Sequence, residues 1–253
     1  MITKSQITAF AKQFKTNEAT VFREFLQLVF LQTLYTQPQS NRVFFKGGTA
    51  IHFIYGAPRF SEDLDFTVDL PISDFTRLIT TTFQALTIQN NFMFKEQKTI
   101  AGKRFVLNSQ NITDFHPSYI HLDFSFREKV LEPQKTIIST AYPILFSSFV
   151  YHFSLNELFA EKIRAIIKRQ KGRDLYDLWF LSTKGAVYKP EMVQKKLDYY
   201  KETLDTNAVI QKIQTFPINN FILDLKPFVT FPEREKLSEL FEYIQTYCQQ
   251  NLL

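Results

Sequence analysis

The chain has 253 residues, 45% of them hydrophobic, with 30 basic and 25 acidic side chains giving a formal net charge of +5; this is enough to bury a substantial core in one large or two modest domains, and the charge permits a polyanionic partner without demanding one. Cys248 is the single cysteine, which excludes an internal disulfide framework and a cysteine-built zinc cluster. No apolar core of the signal-peptide kind follows Met1, and no stretch stays apolar for the ~18 residues of a membrane span, so a soluble, cytoplasmic protein is expected.

The abundance of phenylalanine, 28 residues against 6 glycines, points to dense regular structure without linkers or repeats. From Lys4 to Leu34 the spacing of Phe22, Phe25, Leu26, Val29 and Phe30 predicts helices. Val43 to Lys46 reads as a short strand, Gly47-Gly48 as a turn, and Thr49 to Tyr55 as a helix stopped by Gly56-Ala57-Pro58. Asp63 to Val68 is a second strand, and a helix carrying Phe75, Leu78, Ile79 and Phe83 follows Pro71. Phe92 to Gln97, Arg104 to Asn108 and Tyr119 to Phe126 read as further strands. Pro133 and Pro143 punctuate a passage with few regular elements, and from Ser154 onward the pattern is helical, interrupted around Gly172, Gly185, Pro217, Pro227 and Pro232. The expected architecture is α+β, a mixed-sheet lobe over residues 1–145 followed by a helical lobe over 146–253.

The chemistry concentrates in Lys46-Gly47-Gly48-Thr49-Ala50 and in Arg59-Phe60-Ser61-Glu62-Asp63-Leu64-Asp65-Phe66, a phosphate-approach loop joined to paired carboxylates. Leu64, Phe66 and Val68 alternate with Asp63, Asp65 and Thr67, so both aspartates project from one face of the strand. Two carboxylates so placed repel unless a cation lies between them, and hard oxygen donors suit Mg²⁺, two ions of which clamp a phosphoryl-transfer site. Tyr119 to Phe126 repeats the alternation and sets Asp123 opposite its apolar face, where it can join Asp63 and Asp65 as a third metal ligand and general base. His121 reads as a hydrogen-bonded bystander.

Ser154-Leu155-Asn156-Glu157 has capping-box spacing, and the helix it opens lines up Leu155, Leu158, Phe159, Ile163 and Ile166. Lys162 falls inside that apolar arc, where a buried cation needs an anion: a triphosphate, or else an ion pair with Asp174 or Asp177. One of these two aspartates is expected to fix Lys162 or Arg173 beside a nucleotide, and the sequence leaves open which. The lysines farther on, Lys184, Lys189, Lys195, Lys196 and Lys201, read as a solvated helix face.

Taken together, Gly47-Gly48-Thr49-Ala50, Arg59-x-Ser61-x-Asp63-x-Asp65-Phe66, Asp123, Glu161-Lys162 and Arg173-Asp174-x-x-Asp177-Leu178 resemble the AbiEii/MenT nucleotidyltransferase toxins of the DNA polymerase β-like superfamily, over about Arg42 to Leu181. The resemblance implies a polymerase β-like catalytic lobe followed by a helical lobe that contributes lysine and aspartate to the active site. It implies that Lys46, Gly47, Gly48, Thr49, Arg59, Ser61, Lys162 and Arg173 bind the nucleotide, that Asp63, Asp65 and Asp123 hold Mg²⁺, and that Lys162 with Asp174 or Asp177 completes the machinery. Where the superfamily more usually has Gly-Ser, this chain has Gly48-Thr49, whose hydroxyl can make the same phosphate contact. The implied activity is transfer of a nucleoside monophosphate from a triphosphate to the 3′ end of tRNA, by the toxin of a toxin–antitoxin pair with a cognate antitoxin. A small-molecule or protein acceptor, or a nucleotide- or RNA-binding module without turnover, are the competing readings.

Overall fold

A computed structural model describes residues 2–109 and 118–251. Contacts divide the chain into two compact units, Met1–Ile54 with Ser61–Phe153, and Tyr55–Phe60 with Ser154–Leu253. Among the described residues no helix is long and apolar enough to cross a membrane.

The first unit contains, in chain order, helices α1 (Lys4–Gln13) and α2 (Glu18–Tyr35), strand β1 (Val43–Lys46), helix α3 (Gly47–Tyr55), strand β2 (Leu64–Val68), helix α4 (Ile72–Asn90), and strands β3 (Met93–Gln97), β4 (Lys103–Asn108), β5 (Tyr119–Ser125), β6 (Pro133–Thr136) and β7 (Val150–Phe153). They build one seven-stranded sheet in the order β3-β4-β5-β2-β1-β7-β6. The β2–β5 and β1–β7 pairs are parallel and the others antiparallel, so the sheet is mixed, as the sequence predicts.

Register in this sheet is set from below by phenylalanine. Phe45 of β1 faces Phe66 of β2 with ring centroids 5.5 Å apart, and Phe66 stacks on Phe124 of β5 at 4.9 Å and 11°. Phe75 of α4 closes on Phe124 at 4.8 Å, and Phe30 of α2 on Phe66 at 6.1 Å. Because successive side chains in a strand alternate between faces, the neighbours of these rings, Lys46, Asp65 and Asp123, must appear on the opposite face. A slip of one residue would drive an aspartate into the aromatic layer.

Three sequence expectations are corrected here. The passage between Pro133 and Pro143 contains β6, with Pro133 as the first residue of an edge strand, the position where a missing N–H costs nothing. Helix α3 starts at Gly47 and takes in both glycines that were expected to form a turn, and β2 starts at Leu64, one residue after Asp63.

The second unit contains α5 (Leu155–Lys168), α6 (Gly172–Thr183), α7 (Pro190–Asp198), α8 (Thr206–Gln214), α9 (Ile218–Leu225) and α10 (Leu237–Asn251). Ser154 caps α5, its Oγ accepting from the Glu157 N–H at 3.1 Å, but Glu157 turns its carboxylate inward to Lys196 Nζ at 2.6 Å. Lys196 is fully buried and also reaches Glu161 at 3.3 Å. The solvated face expected for this lysine is therefore wrong: it sits on the buried side of α7 beside Val193 and Leu197, and two glutamates on α5 satisfy it. Gly172 begins α6 rather than ending α5, and a Cβ there would stand 2.6 Å from Phe221 Cα, so its absence lets α6 and α9 pack closely.

The aromatic layer under the sheet predicts a large mutational cost. Phe66→Ala removes a fully buried ring from the middle of the stack and should lower stability by about 3–5 kcal/mol. Urea unfolding followed by circular dichroism measures it, and a change within experimental error would show that this layer does not hold the sheet.

Candidate active site

The acidic residues of the first unit are placed by strand pairing. Asp65 is the direct parallel partner of Asp123, Lys46 the antiparallel partner of Asp65, and Arg104 the antiparallel partner of Asp123. Direct cross-strand partners point to the same face, so one row reads Lys46, Asp65, Asp123, Arg104. Two adjacent carboxylates, which would repel if left alone, lie between two cations. Arg104 donates from Nε to Asp123 Oδ1 at 2.6 Å, and Lys46 Nζ lies 3.2 Å from Glu128 Oε2. The Arg104 pKa is raised, first by its hydrogen bond to Asp123 and further by the charges of Asp123, Asp63 and Asp65. All three acidic residues named from the sequence therefore act electrostatically on one spot.

The chain entering β2 is held through three successive carbonyls. Gln27, fully buried on α2, donates from Nε2 to Ser61 O at 3.1 Å and Glu62 O at 2.8 Å. The Thr49 hydroxyl donates to Asp63 O, and Arg23 pairs with Glu62 at 2.9 Å. Thr49 is 1% exposed, so its hydroxyl serves to fix Asp63 rather than standing open to a ligand. Gly47 has φ +79°, and a Cβ there would run into Asp65 Oδ2. The start of α3 can lie against the Asp65 carboxylate only because residue 47 lacks a side chain.

Lys162, Asp174, Asp177 and Arg59 form a separate cluster inside the second unit. Lys162 Nζ lies 2.8 Å from Asp174 Oδ1 and 2.7 Å from Asp177 Oδ2, so both aspartates hold it. Arg59 forms a two-point bond to Asp177 at 2.5 Å through Nε and Nη2, and is 2% exposed. Arg169 adds Nε to Asp174 Oδ2 at 2.7 Å. Burial, the largest single influence on Lys162 and on Arg59, disfavours their charge, but Asp174 and Asp177 outweigh it and both pKa values are raised. Burial likewise pushes the Asp174 carboxyl up, yet Lys162 and Arg169 together hold it well below the usual carboxylate range. Arg173 is engaged elsewhere, its backbone N–H donating to Asp224 Oδ2 at 3.0 Å and its guanidinium 4.3 Å from the Phe228 ring centroid.

Two residues escaped the sequence reading. Arg104 was legible in principle, because Phe105 and Leu107 face the core and so turn Arg104 to the face of Asp123. Gln27 was not, since nothing local marks a glutamine within the apolar helix α2 as the partner of carbonyls 34 and 35 residues away.

Among the described residues no group of three or more His, Cys, Asp or Glu side chains is drawn together as a preformed metal cage. The donor set nevertheless fits a hard divalent cation, since Asp65 and Asp123 are paired in register and Asp65 Oδ2 lies where the missing Cβ of Gly47 leaves room.

A mixed sheet bearing in-register aspartates beside a glycine-opened helix is an arrangement suited to nucleotidyl transfer. The family model described as "Nucleotidyl transferase AbiEii toxin, Type IV TA system" matches residues 29–246, and the chain belongs to that family. Among solved structures it is similar to MenT4, a nucleotidyltransferase toxin from Mycobacterium tuberculosis H37Rv, at 17% identity and TM-score 0.65, with 97% of this chain and 90% of that chain covered. It is also similar to JHP933 from Helicobacter pylori, at 18% identity and TM-score 0.58, with 93% and 94% covered. No curated protein matches its sequence.

Two outcomes follow from these geometries. Asp177→Ala would leave Arg59 and Lys162 buried with one partner fewer, and should cost about 3–5 kcal/mol in thermal or urea unfolding. Because the folded-state pKa of Asp174 is depressed, its stabilisation is fully present above its unfolded value of about 3.9 and is lost as pH falls below it. Fluorescence of Trp179, the single tryptophan and a residue of α6, should report acid unfolding whose pH dependence is flatter in Asp174→Asn; an identical slope would contradict the coupling.

Proposed function

We propose that this nucleotidyltransferase moves a nucleoside monophosphate from a triphosphate to a hydroxyl at an RNA 3′ end, with tRNA the acceptor that the family resemblance implies. The observation that carries the reading is the pairing of Asp65 with Asp123 directly beside the Gly47 opening. Lys46 and the backbone at the start of α3, nine residues long, receive the triphosphate, a helix N-terminus being suited to anions. Asp63, Asp65 and Asp123 would hold Mg²⁺, which when bound neutralises phosphate charge and activates the attacking oxygen.

Asp123 orients the acceptor hydroxyl and takes its proton as that oxygen bonds to the α-phosphorus. The bond from the α-phosphorus to the bridging oxygen breaks, and pyrophosphate leaves with the electron pair. Lys162, kept charged by Asp174 and Asp177, is the group the family resemblance assigns to neutralising phosphate, with Ser61 supporting the nucleotide, whereas Arg59 is taken up by Asp177 and Arg173 by Asp224. Chemistry of this kind needs positioning and charge stabilisation rather than a nucleophilic side chain, which agrees with a protein whose conspicuous polar residues are carboxylates and cations. Membership in a type IV toxin–antitoxin family supports a cognate antitoxin, and action on nucleoside triphosphates and RNA fits the cytoplasmic location expected from the sequence.

Incubation with each α-labelled triphosphate and total RNA should transfer label to tRNA. Asp65→Asn should lower the rate at least about a hundredfold, and chelation should abolish transfer until Mg²⁺ is restored. Labelling that survives both treatments would refute the assignment.

A further inference from the structure

Transfer through Asp63, Asp65 and Asp123 leaves Arg104, the direct cross-strand partner of Asp123 on the same sheet face, without a task. The row Lys46, Asp65, Asp123, Arg104 has a direction. Its β1 end runs from Lys46 straight into Gly47 and the start of α3, where the triphosphate is received. Its β4 end is Arg104, on the far side of Asp123, the carboxylate assigned to the acceptor hydroxyl. Arg104 thus stands where the acceptor, not the incoming nucleotide, must approach.

Its hydrogen bonding suits a ligand. Nε is pinned to Asp123 Oδ1 at 2.6 Å, and among the described residues neither terminal nitrogen has a protein hydrogen-bond partner. The side chain is 44% exposed, and an ion pair that open contributes little to stability, so holding the fold does not account for it. A planar guanidinium fixed through Nε and presenting Nη1 and Nη2 outward matches two oxygens of one phosphate.

We propose that Arg104 binds a backbone phosphate of the acceptor strand beside the hydroxyl being extended, so that one guanidinium both orients Asp123 and selects a polyanionic acceptor. This rests on RNA being the acceptor. An uncharged or cationic small-molecule acceptor would offer the fork nothing to hold.

The test uses the full chain with Arg104→Gln and Arg104→Lys, under steady-state transfer from labelled triphosphate to RNA, together with RNA binding by fluorescence anisotropy over a range of salt. Arg104→Gln should raise the KM for RNA about tenfold or more, leave the KM for the triphosphate and the melting temperature unchanged, and reduce the steepness of log affinity against log salt by about 0.7, the loss of one single-strand phosphate contact. Arg104→Lys should keep most of the salt dependence and recover part of the KM. A rise in the triphosphate KM alone, a fall in kcat with both the RNA KM and the salt slope unchanged, or no change at all would overturn the proposal. If the wild type labels RNA and the variants behave like it, only this inference fails; if the wild type labels no RNA, the acceptor assignment fails first and takes this inference with it.

Discussion

Two carboxylates held side by side in a sheet is the constraint from which the first unit is built. Asp65 and Asp123 are brought together by parallel pairing of β2 with β5, an arrangement that their mutual repulsion opposes. Repulsion is offset along the row by Lys46 on one side and Arg104 on the other, and is overridden beneath the row by the Phe45, Phe66 and Phe124 layer. Burying those rings yields far more free energy than partly solvated like charges can take back. The hydrophobic core thus fixes the spacing of the charges, and the charges in turn make the face suitable for a cation and for phosphate.

The second unit solves a different electrostatic problem. Its core encloses cations outright: Lys162 and Arg59 among Asp174 and Asp177, and Lys196 among Glu157 and Glu161. Buried ion pairs are weak sources of net stability compared with apolar residues of the same volume, because desolvation consumes much of their attraction. What they do supply is fixed charge in a fixed place. Lys162 cannot readily lose its proton, since burial is outweighed by two neighbours that favour the ammonium form.

Much of this was legible in the sequence because the signals were periodic. Alternation around Asp63-Leu64-Asp65 and around Asp123 gave both strands and their polar face, and the helical arc around Lys162 gave a buried cation and named its two candidate anions. What could not be read was pairing at a distance. Lys196 looks like one lysine of a basic series until Glu157 and Glu161 are found beside it, and Gln27 looks like an interruption of an apolar helix until it meets the carbonyls of Ser61 and Glu62. Strands β6 and β7 lie in the passage that Pro133 and Pro143 punctuate, and those prolines disguise them as a connector.

The excursion Tyr55–Phe60 carries a consequence for how the polypeptide can be dissected. These six residues lie between α3 and β2 in the chain but group with the helices that begin a hundred positions later, where Arg59 clasps Asp177 and the Phe60 N–H donates to Phe228 O at 2.7 Å. A truncated fragment starting at Ser154 would carry every helix of that unit and still lack the guanidinium that neutralises Asp177. Asp177 would keep Lys162 but lose the two-point bond from Arg59, so the C-terminal half draws part of its internal charge balance from a handful of residues encoded far upstream.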